Sequence, residues 1–140
     1  MYKVVVDYAP NDADNAVVTE GIVASIANVI GERDKEFSIF LKSDYGKVFG
    51  GIQAFFDSES IYIDVLWVEE SLQNHGYGTK LLAAAEQEAI KHGCRFSLVD
   101  TWDFQAEKFY VKSGYGRVGH IKNYWHGHTK IFLRKKLNSI

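Results

Sequence analysis

The chain has 140 residues, 46% hydrophobic and 14% aromatic, which suits one core-bearing domain and argues against disorder over most of its length. A formal net charge of -2 removes the basic surplus on which non-specific nucleic-acid binding depends, so no nucleic acid is expected as a partner. A single cysteine, Cys94, excludes an intramolecular disulfide, and no Cys/His group has zinc spacing, so no metal is expected.

The N-terminus, Met1-Tyr2-Lys3-Val4, lacks the layout of a signal peptide. No stretch is expected to reach the roughly 20 apolar residues of a spanning helix. A cytoplasmic protein with no membrane partner follows as the expectation. With one proline and no repeat, residues 1–140 are expected to form a single domain.

Lys3 to Tyr8 is a β-branched run and predicts a first strand. Asn11 to Asp14 is a cap-like polar cluster. Val18, Ile22, Ile26 and Val29 then recur on one helical face, and Gly31 ends that helix. Phe37 to Lys42 and Lys47 to Phe56 predict two strands joined by the turn Ser43-Asp44-Tyr45-Gly46. Gly50-Gly51 marks a bulge in the second of them. Ser60 to Val68 is the fourth predicted strand.

Gln73-Asn74-His75-Gly76-Tyr77-Gly78-Thr79 then joins that strand to a helix predicted over Lys80 to His92. Two glycines at a strand-to-helix turn let backbone come close to a ligand. The first amides of the helix lack internal partners. Such a turn suits a phosphate or pyrophosphate. His92-Gly93 ends the helix. Arg95 to Thr101 is a fifth strand beginning beside Cys94, which is expected to be a buried small hydrophobe. Phe104 to Lys112 is a short helix closed by Ser113-Gly114. Gly116 to Ile121 and Thr129 to Leu137 are the last strands, and Arg134-Lys135-Lys136 is a solvated strand end.

The order β-α-β-β-β-α-β-α-β-β predicts an α+β (mixed α/β) fold. Its sheet is central, mixed and mostly antiparallel, with six to seven strands and helices on both faces. The fourth and fifth strands run parallel across a right-handed crossover. A ligand belongs at the strand ends beside the glycine turn. A P-loop is excluded because Gly78-Thr79-Lys80 lacks the Gly-Lys-Ser/Thr ending. A dinucleotide fingerprint is excluded because Leu81 stands where its third glycine belongs.

Gln73-x-x-Gly76-x-Gly78 after the strand Asp64-Val65-Leu66-Trp67-Val68 resembles the signature of the GNAT superfamily of acyl-CoA-dependent N-acetyltransferases. Ala106-Glu107-Lys108-Phe109-Tyr110-Val111-Lys112-Ser113-Gly114-Tyr115 is similar to that family's Ala-x-x-aromatic-Tyr-x-x-x-Gly-Phe segment. The element order covers nearly the whole chain, and the sharp motifs cover about residues 61 to 121.

The resemblance implies an enzyme that moves the acetyl group of acetyl-CoA to a primary amine, directly and in a ternary complex. The amides of Gln73, Asn74, His75, Gly76, Tyr77, Gly78 and Thr79 would then cradle the coenzyme A pyrophosphate. Strand amides at Leu66, Trp67 and Val68 would hold the pantetheine arm, exposed by a splay between the fourth and fifth strands. Tyr110 matches the tyrosine that protonates the leaving thiolate, against a plain core aromatic as the other reading. Phe109 would sit beside the cofactor. Asp103 stands where relatives carry a cofactor-contacting Asn, and Gln105 is the substitute for that contact.

The base is open among Asp64, Glu69, Glu70 and a water chain. Relatives carry a catalytic Glu at the position of Tyr62, which shares a strand face with Asp64 by simple alternation. Trp67 is expected in the core. Trp102, Tyr124 and His126, with His128, are candidates to contact the acceptor, the last three from a loop over Asn123 to His128. The acceptor is expected to be a small-molecule amine. The alternatives are a protein or peptide amine, or a non-catalytic acyl-CoA-binding module. A monomer and a homodimer are both compatible with the sequence.

Overall fold

The computed structural model describes residues 1–31 and 36–137. The chain divides into two compact units, Met1–Arg33 and Asp34–Ile140, and each has its own local logic.

In the first unit α1 spans Asp12–Ile30. Asn11 caps it by accepting from the Asp14 amide at 2.7 Å, and Asp12 and Asp14 favour the positive end of the helix dipole. Gly31, at φ 92°, closes it by donating to the Ala27 carbonyl. By length and composition alone, α1 is long and apolar enough to cross a membrane, with a mean hydropathy of 1.2. That corrects the expectation that no stretch reaches this criterion; Val17, Ile22, Val23 and Ile30 carry the hydropathy past the scattered polar residues. Lys3 to Tyr8 forms no strand. β-branched residues favour extended backbone, but a strand needs an edge whose hydrogen bonds it completes.

The second unit is a six-stranded mixed sheet. Its strands are β1 (Glu36–Lys42), β2 (Val48–Asp57), β3 (Ser60–Val68), β4 (Phe96–Trp102), β5 (Gly116–Trp125) and β6 (His128–Lys136), in the order β1-β2-β3-β4-β6-β5. Without a strand at residues 3–8, the predicted fourth and fifth strands are β3 and β4. They pair in parallel, and the other neighbours pair antiparallel.

Between β3 and β4 runs α2 (Tyr77–Lys91). Leu81, Leu82, Ala85 and Ala89 are its buried residues, one stripe at helical spacing. The stripe packs against Ile52, Ala54, Ile61 and Ile63 of the sheet. Each fully buried leucine contributes about 1.5–3 kcal/mol, and the alanines let the helix lie close to the strands. α3 (Glu107–Lys112) follows β4. Cys94 is buried as expected. Below α3 the Tyr115 hydroxyl bridges Ser97 Oγ at 2.7 Å and Glu86 Oε2 at 2.9 Å. Lys135 also binds Glu86, at 2.8 Å, so the buried serine and the carboxylate are both satisfied.

Two irregularities shape the sheet beside the glycine turn. Leu41 pairs with Gly50 and Lys42 with Val48, leaving Phe49 as an extra residue next to the predicted Gly50-Gly51 bulge. Gln53 pairs with Val65 and Ala54 with Ile63, so Asp64 is an extra residue in β3. A bulge breaks the two-residue alternation. Ile61 and Ile63 face the core before it, and Leu66 and Val68 pack on the core after it. Trp67 is therefore 54% exposed, which corrects its expected place in the core. The simple alternation that put Asp64 on the face of Tyr62 is interrupted at Asp64 itself.

Gly50 and Gly51 sit where three strands come close. A Cβ on Gly50 would lie 2.6 Å from the Trp67 carbonyl oxygen, and one on Gly51 2.5 Å from that of Ile39. Neither backbone atom can yield without moving its strand. Gly50→Ala is expected to cost about 2 kcal/mol through this overpacking, and to lower Tm by roughly 8 °C. Thermal denaturation followed by circular dichroism checks it; an unchanged Tm would show that the β2–β3 contact is soft.

Candidate active site

The ladder between β3 and β4 runs from Ser60↔Phe96 to Ile63↔Val99 and then stops. Beyond it the bulge at Asp64 turns β3 away, while β4 continues along β6 as far as Trp102↔Lys130. The splay leaves the β4-facing peptide groups of residues 64–68 without a ladder partner. A cavity of about 270 Å³ opens there, lined among others by Asp64, Leu66, Asp100, Gln105 and Tyr110. A larger hollow of about 470 Å³ continues from Asp64 toward Glu36 and Phe55. Neither a glycine turn nor a helix end lines it.

Next to the splay lies a second cavity of about 220 Å³, lined by Val68, Leu72, Gln73, Asn74, Gly76, Tyr77, Gly78, Thr79 and Phe109. Here α2 begins at Tyr77, three residues before its predicted start, so Gly78 and Thr79 lie within its first turn. Gly76 is its N-cap in the left-handed region at φ 84°, with no side-chain cap. The first intrahelical bond is from the Lys80 amide to the Gly76 carbonyl at 3.1 Å. The amides of Tyr77, Gly78 and Thr79 therefore have no partner within the helix, and they sit at the positive end of its dipole. Nothing lies within 4 Å of where a Gly76 Cβ would stand. Together these make an open, donor-lined cradle for an anion.

Side chains hold the loop in this shape. Gln73 Nε2 donates to the Val68 carbonyl at 2.9 Å, tying the loop to the end of β3. His75 Nδ1 lies 2.8 Å from the Gln73 carbonyl. Asn74 takes a left-handed backbone at φ 63°, which Asn tolerates better than most residues. Glu69 accepts from the Ser71 amide at 3.0 Å, so it caps the short 3-10 turn Glu70–Leu72. Gly78 faces the Phe109 ring, 3.5 Å from its Cβ position.

Tyr110 is 4% exposed, with its ring edge-on to Phe109 and Tyr115. Burial, and then the nearby Asp100 carboxylate, push its phenol up to about 12. Gln105 Oε1 accepts from the Trp102 amide at 3.4 Å and lines the splay cavity. Asp103 is not brought to either cavity. Its carboxylate accepts from the Thr129 amide at 3.0 Å and pairs with His128 at 2.9 Å. The Thr129 bond leads in holding it below the usual carboxylate range, with His128 adding to the effect.

The expected loop over Asn123 to His128 is instead a tight hairpin. Trp125 pairs with His128, and His126 and Gly127 both take positive φ, 49° and 80°, as a two-residue turn requires. Tyr124 meets Trp102 edge-on at 5.4 Å. His126 stays at the turn, against Trp125.

Sequence reasoning missed Asp100. β4 alternates buried and half-buried residues, and Asp100 shares its half-buried face with Phe96, Leu98 and Trp102. Its carboxylate accepts from the Tyr62 hydroxyl and pairs with Lys130 at 3.0 Å. Burial leads in raising the Tyr62 phenol, and Asp100 adds to it. The one charged residue in a strand of otherwise uncharged residues was the available signal.

Known proteins share this family and fold. The model of the Acetyltransferase (GNAT) family matches residues 8–115. A blasticidin-S acetyltransferase from Streptomyces morookaense is 34% identical over 102 residues, covering 72% of this chain and 75% of that one. An acetyltransferase from Agrobacterium fabrum is 30% identical over 137 residues, covering 97% of this chain and 99% of that one. Among solved structures, an acetyltransferase from Bacillus cereus superposes with a TM-score of 0.82 at 30% identity, covering 96% of this chain and 98% of that chain.

Proposed function

Since this chain belongs to the GNAT acetyltransferase family and is an acyltransferase, we propose that it acetylates the primary amine of a small molecule by direct transfer in a ternary complex. The observation that carries this reading is the adjacency of the donor-lined helix start and the splay that holds Tyr110. Acetyl-CoA supplies a thioester, whose carbonyl carbon is attacked by a neutral amine, so that the C–N bond forms as the C–S bond breaks. A relative at 34% identity is named for acetylating blasticidin S, which favours a small-molecule acceptor over a protein one.

Each part of the site then has a role. The Tyr77, Gly78 and Thr79 amides bind the pyrophosphate, and Gln73 holds their loop against β3. The peptide groups from Leu66 to Val68 that face β4 without a ladder partner orient the pantetheine arm like an added strand, and one of their N–H groups polarises the thioester oxygen. Tyr110 donates to the departing sulfur. Asp64, exposed at the bulge, relays the proton lost by the nitrogen to water. The proton balance closes through water, which takes the amine's proton from Asp64 and returns one to the Tyr110 phenolate, so the net products are the amide and the coenzyme A thiol.

Calorimetric titration with acetyl-CoA, then thiol release with small primary amines and with a peptide bearing a free N-terminus, tests the proposal. Binding below about 1 mM with turnover of the small amines is expected. Absence of binding at that concentration would overturn the reading. Turnover of the peptide alone would overturn the small-molecule acceptor.

A further inference from the structure

Asp100, Trp102 and Tyr124 together already hold an alkylammonium. Lys130 Nζ lies 3.0 Å from Asp100 Oδ1. It also sits over the Trp102 ring at 4.5 Å and within 5.7 Å of the Tyr124 centroid. The two aromatic rings meet edge-on, at 68°, so they form two walls, with the carboxylate as the third. A cation over electron-rich ring faces and beside a carboxylate is the chemistry of an ammonium receptor. The side chains of Lys130 and Asp100 are only 21% and 22% exposed, so the group is largely shielded from water.

The placement follows from register. Lys130 is the cross-strand partner of Trp102, and Asp100 lies two residues back along β4, so all three share one sheet face. Asp100 also lines the splay cavity that Tyr110 lines. Its other partner is the Tyr62 hydroxyl, which fixes the carboxylate whether or not the lysine stays. Lys130 reaches the box on a flexible four-carbon stem, so it can leave without moving β6. Tyr124 remains 54% exposed, which gives an external cation access to the box.

We propose that Asp100, Trp102 and Tyr124 form the binding site for the ammonium group of the acceptor, and that Lys130 occupies it as an internal competitor. The acceptor class is an aliphatic primary amine that arrives as a cation, on a stem of about the length of a lysine side chain. The proposal rests on the acetyltransferase reading, which it extends from the donor to the acceptor. Displacement of Lys130 sets the affinity for the acceptor, and acetyl-CoA binding is independent of it.

The test is calorimetric titration of the full chain with n-pentylammonium chloride, without acetyl-CoA, and with 1-pentanol as the uncharged control. Lys130→Met is expected to bind pentylammonium about tenfold tighter than the wild type, the scale of a cation–π contact joined to a shielded ion pair. Lys130→Gln, a polar replacement, should show the same gain if Lys130→Met folds poorly. Lys130→Arg keeps the box filled and should show none. Adding Asp100→Asn or Trp102→Leu to Lys130→Met should abolish the gain. No gain in either neutral variant, an equal gain for pentanol, or a gain that survives both second substitutions would overturn the proposal. A separate titration with acetyl-CoA reports on the acetyltransferase reading, so failure of one is not read as failure of the other.

Discussion

Tyr110→Phe is expected to lower kcat by about 100-fold, the lower end for loss of a positioned acid, while acetyl-CoA affinity stays within about twofold. The phenyl ring keeps the edge contacts with Phe109 and Tyr115, at 5.2 Å and 5.5 Å between centroids, so the fold and the neighbouring cavity at the start of α2 are retained. What is lost is the one hydroxyl that Tyr110 presents to the splay. A phenol pushed up to about 12 by burial and by Asp100 stays protonated through the whole working range. It is therefore always able to donate. It is also a weaker acid than a thiol of pKa about 8.5, so complete transfer to sulfur before the nitrogen loses its proton is uphill. In the proposed mechanism Tyr110 is therefore a hydrogen-bond donor whose proton moves only as the net transfer completes.

The sign of the pH dependence follows. Deprotonation of Tyr110 would remove activity as pH rises through about 12, so any alkaline limb below about pH 10 belongs to another group. Single-turnover rates of the wild type and Tyr110→Phe from acid to alkaline pH measure both points. Equal rates for the two proteins would show that the tyrosine is a core aromatic and that the leaving thiolate is handled elsewhere.

The parts of this site that depend on short-range chemistry were legible in the sequence. Gly76 and Gly78 after an apolar strand specify a close backbone approach and a helix start. The segment from Ala106 to Tyr115 places an aromatic pair at two adjacent positions of a short helix. The Gln73 side chain bonds to the Val68 carbonyl, which ties the loop to the strand before it.

What was not legible depends on pairing across strands. The bulge at Asp64 exists because β2 and β3 change register between Gln53 and Ala54. No residue type in Ile63-Asp64-Val65 announces it, and it reverses which side chains face the core. That one-residue slip put Trp67 on the wrong side in the sequence reading. Asp100 and Lys130 lie 30 positions apart and meet only through the β4–β6 register. Tyr62 reaches the same carboxylate from β3. The glycine loop is thus local in sequence, whereas the group around Asp100 is assembled by the sheet. This is why the glycine loop spoke clearly and Asp100 stayed silent.

Gly76→Glu is expected to weaken acetyl-CoA binding at least 100-fold, about 2.7 kcal/mol, and Gly76→Ala much less. Two effects separate the variants. Any side chain at φ 84° meets the left-handed penalty of about 1–2 kcal/mol, and both variants carry it. The alanine Cβ enters open space, with nothing within 4 Å, so it adds strain with little obstruction. The glutamate puts a carboxylate beside the amides of Tyr77, Gly78 and Thr79, where it caps the helix itself and repels an incoming pyrophosphate. The same carboxylate offsets part of the strain, so Tm of Gly76→Glu should match or exceed that of Gly76→Ala while affinity falls further. Stability and binding then move in opposite directions, which general damage to the fold does not produce. Titrations with acetyl-CoA and desulfo-CoA beside melting curves of the three proteins check this. Wild-type affinity in Gly76→Glu would mean that the pyrophosphate is bound away from the start of α2.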